Sequence, residues 1–341
     1  MTVKKITLSI LLVMQIVSFT TAQVKDSLVK FVPNGKMEGR IFTDFFYEFN
    51  EHKTAFEVSR AYLGYNYNYT ENFSVRAVID VSKPDVAING KTVDTISTSL
   101  QHTAHLKFAY GTYQKNNFLV SIGMIELNQF KLQDQQWGHR YIMKTLQDEY
   151  GFCSSADLGV KIDYKITKWL SADVAVRNGE GFKKVQSDNI YWYGLGVTIQ
   201  PFKGLYYRAY IDYSKKDVAQ SNITNYVSYI GNKFKVGAEL EIGQNFGNVD
   251  HKKLNGLSLF AAYQLTQKLE IFGRYDKLSS NTLSGQTNSW NYDKDLSTAI
   301  FGFQMSPIKN ISFSLNGRYV IPENSDKTKK ISIYTNIDFK F

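Results

Sequence analysis

The stretch KISIYTNIDFKF, residues 330–341, decides the fold. From residue 331 onward its odd positions are mostly aliphatic or aromatic, and its even positions are mostly polar. Because successive side chains of a strand point to opposite faces, this pattern predicts a strand with one apolar and one polar face. An unpaired apolar edge invites aggregation, whereas a transmembrane barrel pairs its last strand with its first. The stretch therefore predicts an all-β, transmembrane antiparallel barrel.

The other end of the chain has the pattern of a secretory signal peptide. Lys4 and Lys5 precede an apolar run at residues 6–19, and small residues at 20–22 offer a cleavage site before Gln23. The run is too short for a membrane anchor. We therefore expect a signal peptide at 1–22, a short periplasmic lead at 23–35 and a barrel at 36–341. The terminal Phe341 is similar to the signature by which outer-membrane proteins are recognised, which favours the outer membrane of a Gram-negative cell.

Amphipathic segments of about ten residues, the length of a membrane-spanning strand, follow one another along the chain. We predict about sixteen strands, at 36–50, 55–69, 73–82, 104–113, 118–127, 156–165, 169–178, 191–200, 205–213, 224–231, 234–246, 256–265, 269–278, 296–304, 311–320 and 330–341. The connections that follow every second strand are tight. Most of the others are long and polar, at 83–103, 128–155, 179–190, 214–223, 247–255, 279–295 and 321–329. Such alternation is typical of an outer-membrane barrel, whereas a soluble sandwich or propeller would mix long and short connections.

Arginines recur on the strand face opposite the aliphatic residues, at Arg76, Arg177, Arg208, Arg274 and Arg318. A charge facing lipid at mid-membrane costs about 2–4 kcal/mol, so these side chains are expected to face the lumen. One interpretation is a pore lining that attracts anions, in agreement with a net charge of +9. The other is mutual neutralisation by acids on the same strands, in the pairs Arg76/Asp80, Asp173/Arg177 and Arg208/Asp212. Arg318 has no such acid on its own strand.

Two segments depart from the simple pattern. The alternation of residues 55–69 changes phase, because Phe56 and Val58 share parity with Arg60 while Tyr65 has the other parity, and a bulge near Arg60 would repair it. The connection 128–155 is too long for a turn and holds Trp137, Arg140, Tyr141 and Lys144. We expect it to fold into the barrel and narrow the pore. The alternative is an external cap on the rim.

The segments FEVSRAYLG at 56–64, FSVR at 73–76 and SADLGV at 155–160, with Asp80, Trp137, Arg140, Tyr141 and Lys144, resemble the phosphate-selective porin O and P family. This resemblance implies a sixteen-stranded homotrimeric porin with its third loop in the pore. The phosphate-selective members line the lumen with a dense arginine ladder and a lysine cluster. The arginines here are scattered, which favours a general pore for small hydrophilic, anionic solutes.

Other chemistries find little support in the sequence. No basic run, zinc spacing or helix-turn-helix pattern points to nucleic acid, and Cys153 is the single cysteine. The five histidines lack metal spacing, and no catalytic set is selected, so we expect no metal, no cofactor and no enzyme activity. Outer-membrane lipids and diffusing solutes are the expected partners. The alternative to a diffusion porin is a specialised or non-conducting barrel, such as a hydrophobic-substrate transporter or a surface-assembly partner.

Overall fold

The computed structural model describes residues 31–82 and 102–341. The predicted signal peptide lies outside the described residues, as do most of the predicted lead at 23–35 and most of the predicted connection at 83–103. The described residues form sixteen strands: β1 Asn34–Glu48, β2 Lys53–Asn68, β3 Phe73–Ser82, β4 Thr103–Lys115, β5 Phe118–Glu126, β6 Ala156–Lys165, β7 Leu170–Arg177, β8 Trp192–Ile199, β9 Leu205–Lys215, β10 Ala219–Ile230, β11 Phe234–Gln244, β12 Lys253–Gln264, β13 Leu269–Ser280, β14 Leu296–Ile308, β15 Ile311–Pro322 and β16 Lys330–Lys340. Two short helices, α1 Lys131–Trp137 and α2 Leu146–Glu149, lie between β5 and β6.

Each strand pairs antiparallel with its sequence neighbours, and β1 pairs with β16 to close the barrel. The predicted fold is therefore confirmed. At the seam, Arg40 of β1 donates two hydrogen bonds, of 2.8 and 2.7 Å, to the carboxylate of Asp338 on β16. Among the described strands no free edge remains, which removes the aggregation hazard of an apolar last strand.

The alternation predicted for the last strand holds in space. Ile331 and Ile333 are 48% and 43% exposed on the outer surface, while Asn336 and Asp338 are 1% exposed on the inner face. A barrel in lipid needs this inversion of the usual soluble pattern, because the apolar side chains have hydrocarbon outside and the polar ones have partners inside.

The pairing is irregular at three places: one lies beside the turn between β14 and β15, between Met305 and Ile308, and the other two are bulges farther inside the wall. In the β1–β2 ladder Phe42 faces Arg60 and Thr43 faces Val58, so Ser59 is the extra residue and the bulge predicted near Arg60 is confirmed. A second bulge was not predicted. In the β3–β4 ladder Val78 faces Phe108 and Ile79 faces Leu106, which leaves Lys107 as the extra residue. Bulges re-aim side chains, and both of these lie beside the interior.

The connections separate into two kinds. Short turns lie at one rim, for example at 116–117 and 309–310, and longer connections lie at the other rim, for example at 178–191 and 281–295. We call these the turn rim and the loop rim. The long loop predicted at 214–223 is wrong, because β9 and β10 are joined by residues 216–218 alone. Its polar residues Gln220 and Asn222 belong to β10, where they are buried.

The connection 127–155, called the third loop from here on, contains both helices and folds into the barrel. Its insertion is confirmed by contacts with the wall on the opposite side, which are described below. Within the described residues, neither helix is long or apolar enough to cross a membrane.

Candidate pore and its constriction

The third loop crosses the lumen from β5 and β6 to the wall formed by β12 to β14. The Trp137 side chain is 1% exposed, and its ring centroid lies 5.5 Å from that of Phe260 and 6.0 Å from that of Phe272. Tyr141 Oη donates a 2.8 Å hydrogen bond to Gln304 Oε1 of β14. Burial of two aromatic rings against the far wall fixes the loop across the barrel.

Polar contacts hold the rest of the loop. Gln147 Nε2 donates to Glu239 Oε1 of β11 at 2.7 Å. Two wall arginines bind backbone carbonyls of the loop: Arg274 Nη1 lies 2.6 Å from the Lys144 oxygen, and Arg318 Nη2 lies 2.8 Å from the Ile142 oxygen. Because buried carbonyls need donors, these arginines replace the water that the loop backbone would otherwise bind.

The loop leaves two main cavities in the lumen. The turn-side cavity is about 400 Å³ and lies toward the turn rim, while the loop-side cavity is about 530 Å³ and lies toward the loop rim. The turn-side cavity is lined by Glu38, Arg40, Tyr62, Arg76, Val78, Lys107, Phe108, Glu126, Leu127, Phe130, Lys131, Asp134, Arg140, Lys340 and their neighbours. The loop-side cavity is lined by Asp44, Glu48, Arg60, Arg140, Tyr141, Lys144, Glu149, Arg318, Lys330, Tyr334 and their neighbours. Of the described residues, Arg140 lines both.

Arg140 is held in place by acids of its own loop. Its guanidinium lies 3.2 Å from Asp134 Oδ1 and 2.5 Å from Asp148 Oδ2. Burial alone would raise the pKa of Asp148, but the Arg140 charge outweighs burial and sets that pKa well below its ordinary value. The residue that separates the two cavities is thus a fixed cation in a doubly acidic clamp.

The opposite side of the constriction is built by the two bulges. They direct Arg60 and Lys107 from β2 and β4 onto Asp80 of β3, with Arg60 Nε 3.5 Å and Lys107 Nζ 3.4 Å from its carboxylate oxygens. Both cations also donate to Tyr62 Oη, at 3.1 and 3.2 Å. Sequence reasoning missed Lys107. The signal was present, since Lys107 and Phe108 are adjacent and strict alternation cannot turn both inward.

The predicted arginines all lie on the inner side of the wall, but in different settings. Arg76 lines the turn-side cavity and Arg318 lines the loop-side cavity. Arg208 lines a third cavity of about 380 Å³ that is enclosed by β4 to β9 and the loop. Arg177 and Arg274 are only 4% and 5% exposed, and Arg274 lies directly beneath the loop. Arg208 is as buried as these two, at 3% exposed, so of the five predicted arginines Arg76 and Arg318 are the ones more exposed to the lumen.

The predicted same-strand ion pairs are wrong. Arg177 of β7 pairs with Asp212 of β9, and Arg208 of β9 pairs with Asp173 of β7, so the partners are exchanged across β8. Residues on β7 and β9 meet above β8, where that strand carries glycine. Arg76 likewise pairs across strands, with Glu38 of β1 at 2.8 Å. Arg274 is different, because it pairs with Asp276 of its own strand, two residues away, through hydrogen bonds of 2.9 and 2.7 Å.

The four residues predicted to form the constriction have different positions in the third loop. Arg140 and Lys144 face the cavities, whereas Trp137 is buried against the far wall. Tyr141 is buried as well, and it both anchors the loop and borders the loop-side cavity. Among the described residues, no group of three or more His, Cys, Asp or Glu could hold a metal ion.

Comparison with known proteins agrees with the barrel fold. A family model described as putative beta-barrel porin-2, OmpL-like, matches residues 156–340. Curated proteins give no significant match. The outer-membrane channel DcaP of Acinetobacter baumannii is similar in structure, with a TM-score of 0.65 and 14% identity over 94% of this chain and 100% of that one.

Two further solved structures are similar over comparable lengths. The anion-selective porin from Comamonas acidovorans has a TM-score of 0.64 and 10% identity, over 91% of this chain and all of that one. OmpT of Vibrio cholerae, described in a trimer form, has a TM-score of 0.62 and 12% identity, again over 91% and 100%. At these identities the likeness shows the fold alone.

Proposed function

The chain belongs to the putative β-barrel porin-2, OmpL-like family, and on that premise we propose that it is an outer-membrane channel through which small hydrophilic solutes, preferentially anions, diffuse passively. The observation that carries the proposal is the pair of charged cavities in the lumen that both have Arg140 in their lining. Cavities of 400 and 530 Å³ admit small hydrated solutes, and their charged walls favour water over an apolar cargo.

The preference for anions rests on which charges face the open space. The turn-side cavity is lined by six basic and three acidic side chains. Three further acids pair with these basic groups from behind: Asp80 and Asp338 are almost completely buried, and Asp148 binds Arg140. An ion in the cavity therefore meets cations first, and a low-dielectric wall strengthens their field.

Short turns of such barrels face the periplasm, so we place the turn rim there and the loop rim outside. The homotrimer remains a proposal, supported by the trimer form described for the similarly folded OmpT. The phosphate-selective resemblance also stays a prediction, because the family match covers the second half of the chain and says nothing about phosphate. We propose no enzyme activity.

One observation favours the alternative of a non-conducting or specialised barrel. Arg140 stands between the cavities in a double ion pair, and a clamp of this kind can also close a lumen. Planar bilayers separate the two functions. A diffusion channel gives steady single-channel steps in KCl, and a gradient of KCl gives a reversal potential of the sign expected for chloride. Absence of steps from the correctly assembled barrel would overturn the porin proposal.

A further inference from the structure

The wall of the turn-side cavity combines charge with an apolar strip, which a passage for hydrated ions does not need. Tyr62, Val78, Phe108, Leu127 and Phe130 all line this cavity. They come from β2, β3, β4 and the third loop, and apart from Tyr62 they are largely buried, so each presents only a small part of its surface to the cavity. The larger loop-side cavity also has apolar lining residues, such as Phe42 and Ile142, but most of its lining side chains are charged or carry a hydroxyl group.

Basic groups are placed along the edge of this strip. The Arg76 guanidinium lies 4.8 Å from the ring centroid of Phe108, and Lys107 Nζ lies 5.7 Å from the same centroid on its own side. Lys131 of the loop faces the cavity beside Phe130 and is 39% exposed at its side chain. Both cations lie over the Phe108 ring, so a ligand in the cavity would meet these basic groups together with the part of the ring surface that they leave open.

The inner end of the cavity offers a directed hydrogen-bond donor. Tyr62 Oη accepts hydrogen bonds from Arg60 and Lys107, and a phenol oxygen with both acceptor positions used keeps its own proton for another acceptor. Arg140 lines the cavity at the same end. A carboxylate there would meet one neutral and one charged donor, while the rest of the molecule lies against the strip.

We infer that the turn-side cavity is a selective binding station for small organic anions whose apolar body is the size of a single ring, for example a ring carboxylate. The inference rests on the proposed channel function and adds a solute class to it. A volume of about 400 Å³ suits one such molecule, and an apolar lining with a few convergent polar groups is the usual composition of a small-molecule site. Inorganic ions would use the basic groups alone.

The test uses reversal potentials of the assembled channel with chloride on one side and either benzoate or gluconate on the other. Both organic anions carry one charge, but gluconate has no apolar face. We expect Phe108→Ser to lower the benzoate-to-gluconate permeability ratio by about fivefold, the change expected when a ring loses one face of apolar contact. Phe108→Leu, which keeps an apolar surface, should preserve most of the ratio. Phe246→Ser, in the aromatic cluster with Trp290 away from this cavity, is the matched control.

Arg76→Gln separates the two components of the site. It should reduce the permeability of both organic anions relative to potassium and leave their ratio nearly unchanged. A benzoate-to-gluconate ratio unaffected by Phe108→Ser, or lowered equally by the control, would overturn the inference while KCl conductance still supported a channel. Block of the wild-type KCl current by benzoate added from the turn rim needs no variant. We expect concentration-dependent block by benzoate and none by gluconate, and equal effects of the two would also refute the binding station.

Discussion

Arg208 and Asp173 form a bidentate ion pair over a strand to which neither belongs. Arg208 Nη1 and Nη2 lie 2.8 and 3.0 Å from the two carboxylate oxygens, and the pair passes above Gly196 of β8. A Cβ atom at Gly196 would lie 2.5 Å from Arg208 Nη2 and 2.6 Å from Asp173 Oδ2. The ion pair between Arg208 and Asp173 therefore requires glycine at position 196.

We expect Gly196→Val to separate Arg208 from Asp173 and to lower barrel stability, with an upper range of about 3–5 kcal/mol for breaking a buried pair. The temperature at which the barrel loses its heat-modifiable migration in detergent gels would measure the loss. Gly317→Ala is the matched control, because no atom lies within 4 Å of its Cβ position. Equal stability of the two variants would contradict the steric argument.

Removal of the constriction cation should change selectivity. Arg140→Ala is expected to reduce the preference for chloride over potassium and to raise conductance, because it deletes a charge and bulk where the two cavities meet. Arg318→Ala should reduce anion preference in the loop-side cavity. Reversal potentials in a KCl gradient measure both effects. If neither variant moves the reversal potential, the assignment of these residues to selectivity is wrong.

Substitution of Asp80 should change ion selectivity in the opposite direction. This buried carboxylate faces both Arg60 and Lys107, and Asp80→Asn leaves two cations without their shared counter-charge. Anion preference should therefore increase, while stability falls because buried cations are left poorly compensated. Reversal potential and heat-modifiability report the two changes separately. Asp250→Asn, a mostly exposed acid of a loop-rim connection, provides a control expected to alter neither.

Much of the fold could be predicted from the sequence, because apolar and polar residues alternate along each strand. The lipid outside and the water inside the barrel require this alternation. The strand number, the closure, the bulge at Ser59 and the inserted loop all follow from alternation or from segment length. Ion-pair partners could not be predicted, since Arg177 and Asp212 lie on different strands and meet across β8, where Gly194 is the residue opposite Asp212. The role of Lys107 depends on a bulge in β4, and in the sequence the only sign of that bulge is the polar Lys107 itself beside Phe108.

The anchor of the third loop should be separable from its charges. Trp137→Ala removes a ring packed between Phe260 and Phe272, at a cost of about 3–5 kcal/mol to the docked loop. We expect larger and noisier single-channel currents because the loop then leaves its position part of the time. Trp169→Ala, with a side chain half exposed near the turn rim, should keep the wild-type trace. Quiet, unchanged currents from the Trp137 variant would show that the loop is held by its polar contacts alone.

The clamp on Arg140 should resist acid. Because the pKa of Asp148 lies below its ordinary value, its contribution to stability is full above that ordinary value and is lost only as pH falls through the lower pKa of the folded state. Conductance noise should thus stay constant from neutral pH to about pH 4. Asp148→Asn should be noisy throughout that range. A wild-type channel that becomes noisy already near pH 6 would contradict the acid resistance of the clamp.

The loop contacts also constrain the order of assembly. Tyr141 bonds a residue 163 positions later in the chain, and the Ile142 oxygen accepts from one 176 positions later. Such distant partners are slow to find, and they lie on the inside of a wall whose seam joins the first strand to the last. Docking of the loop and closure of the seam both need the C-terminal strands in place. We therefore expect the two steps to be coupled during assembly.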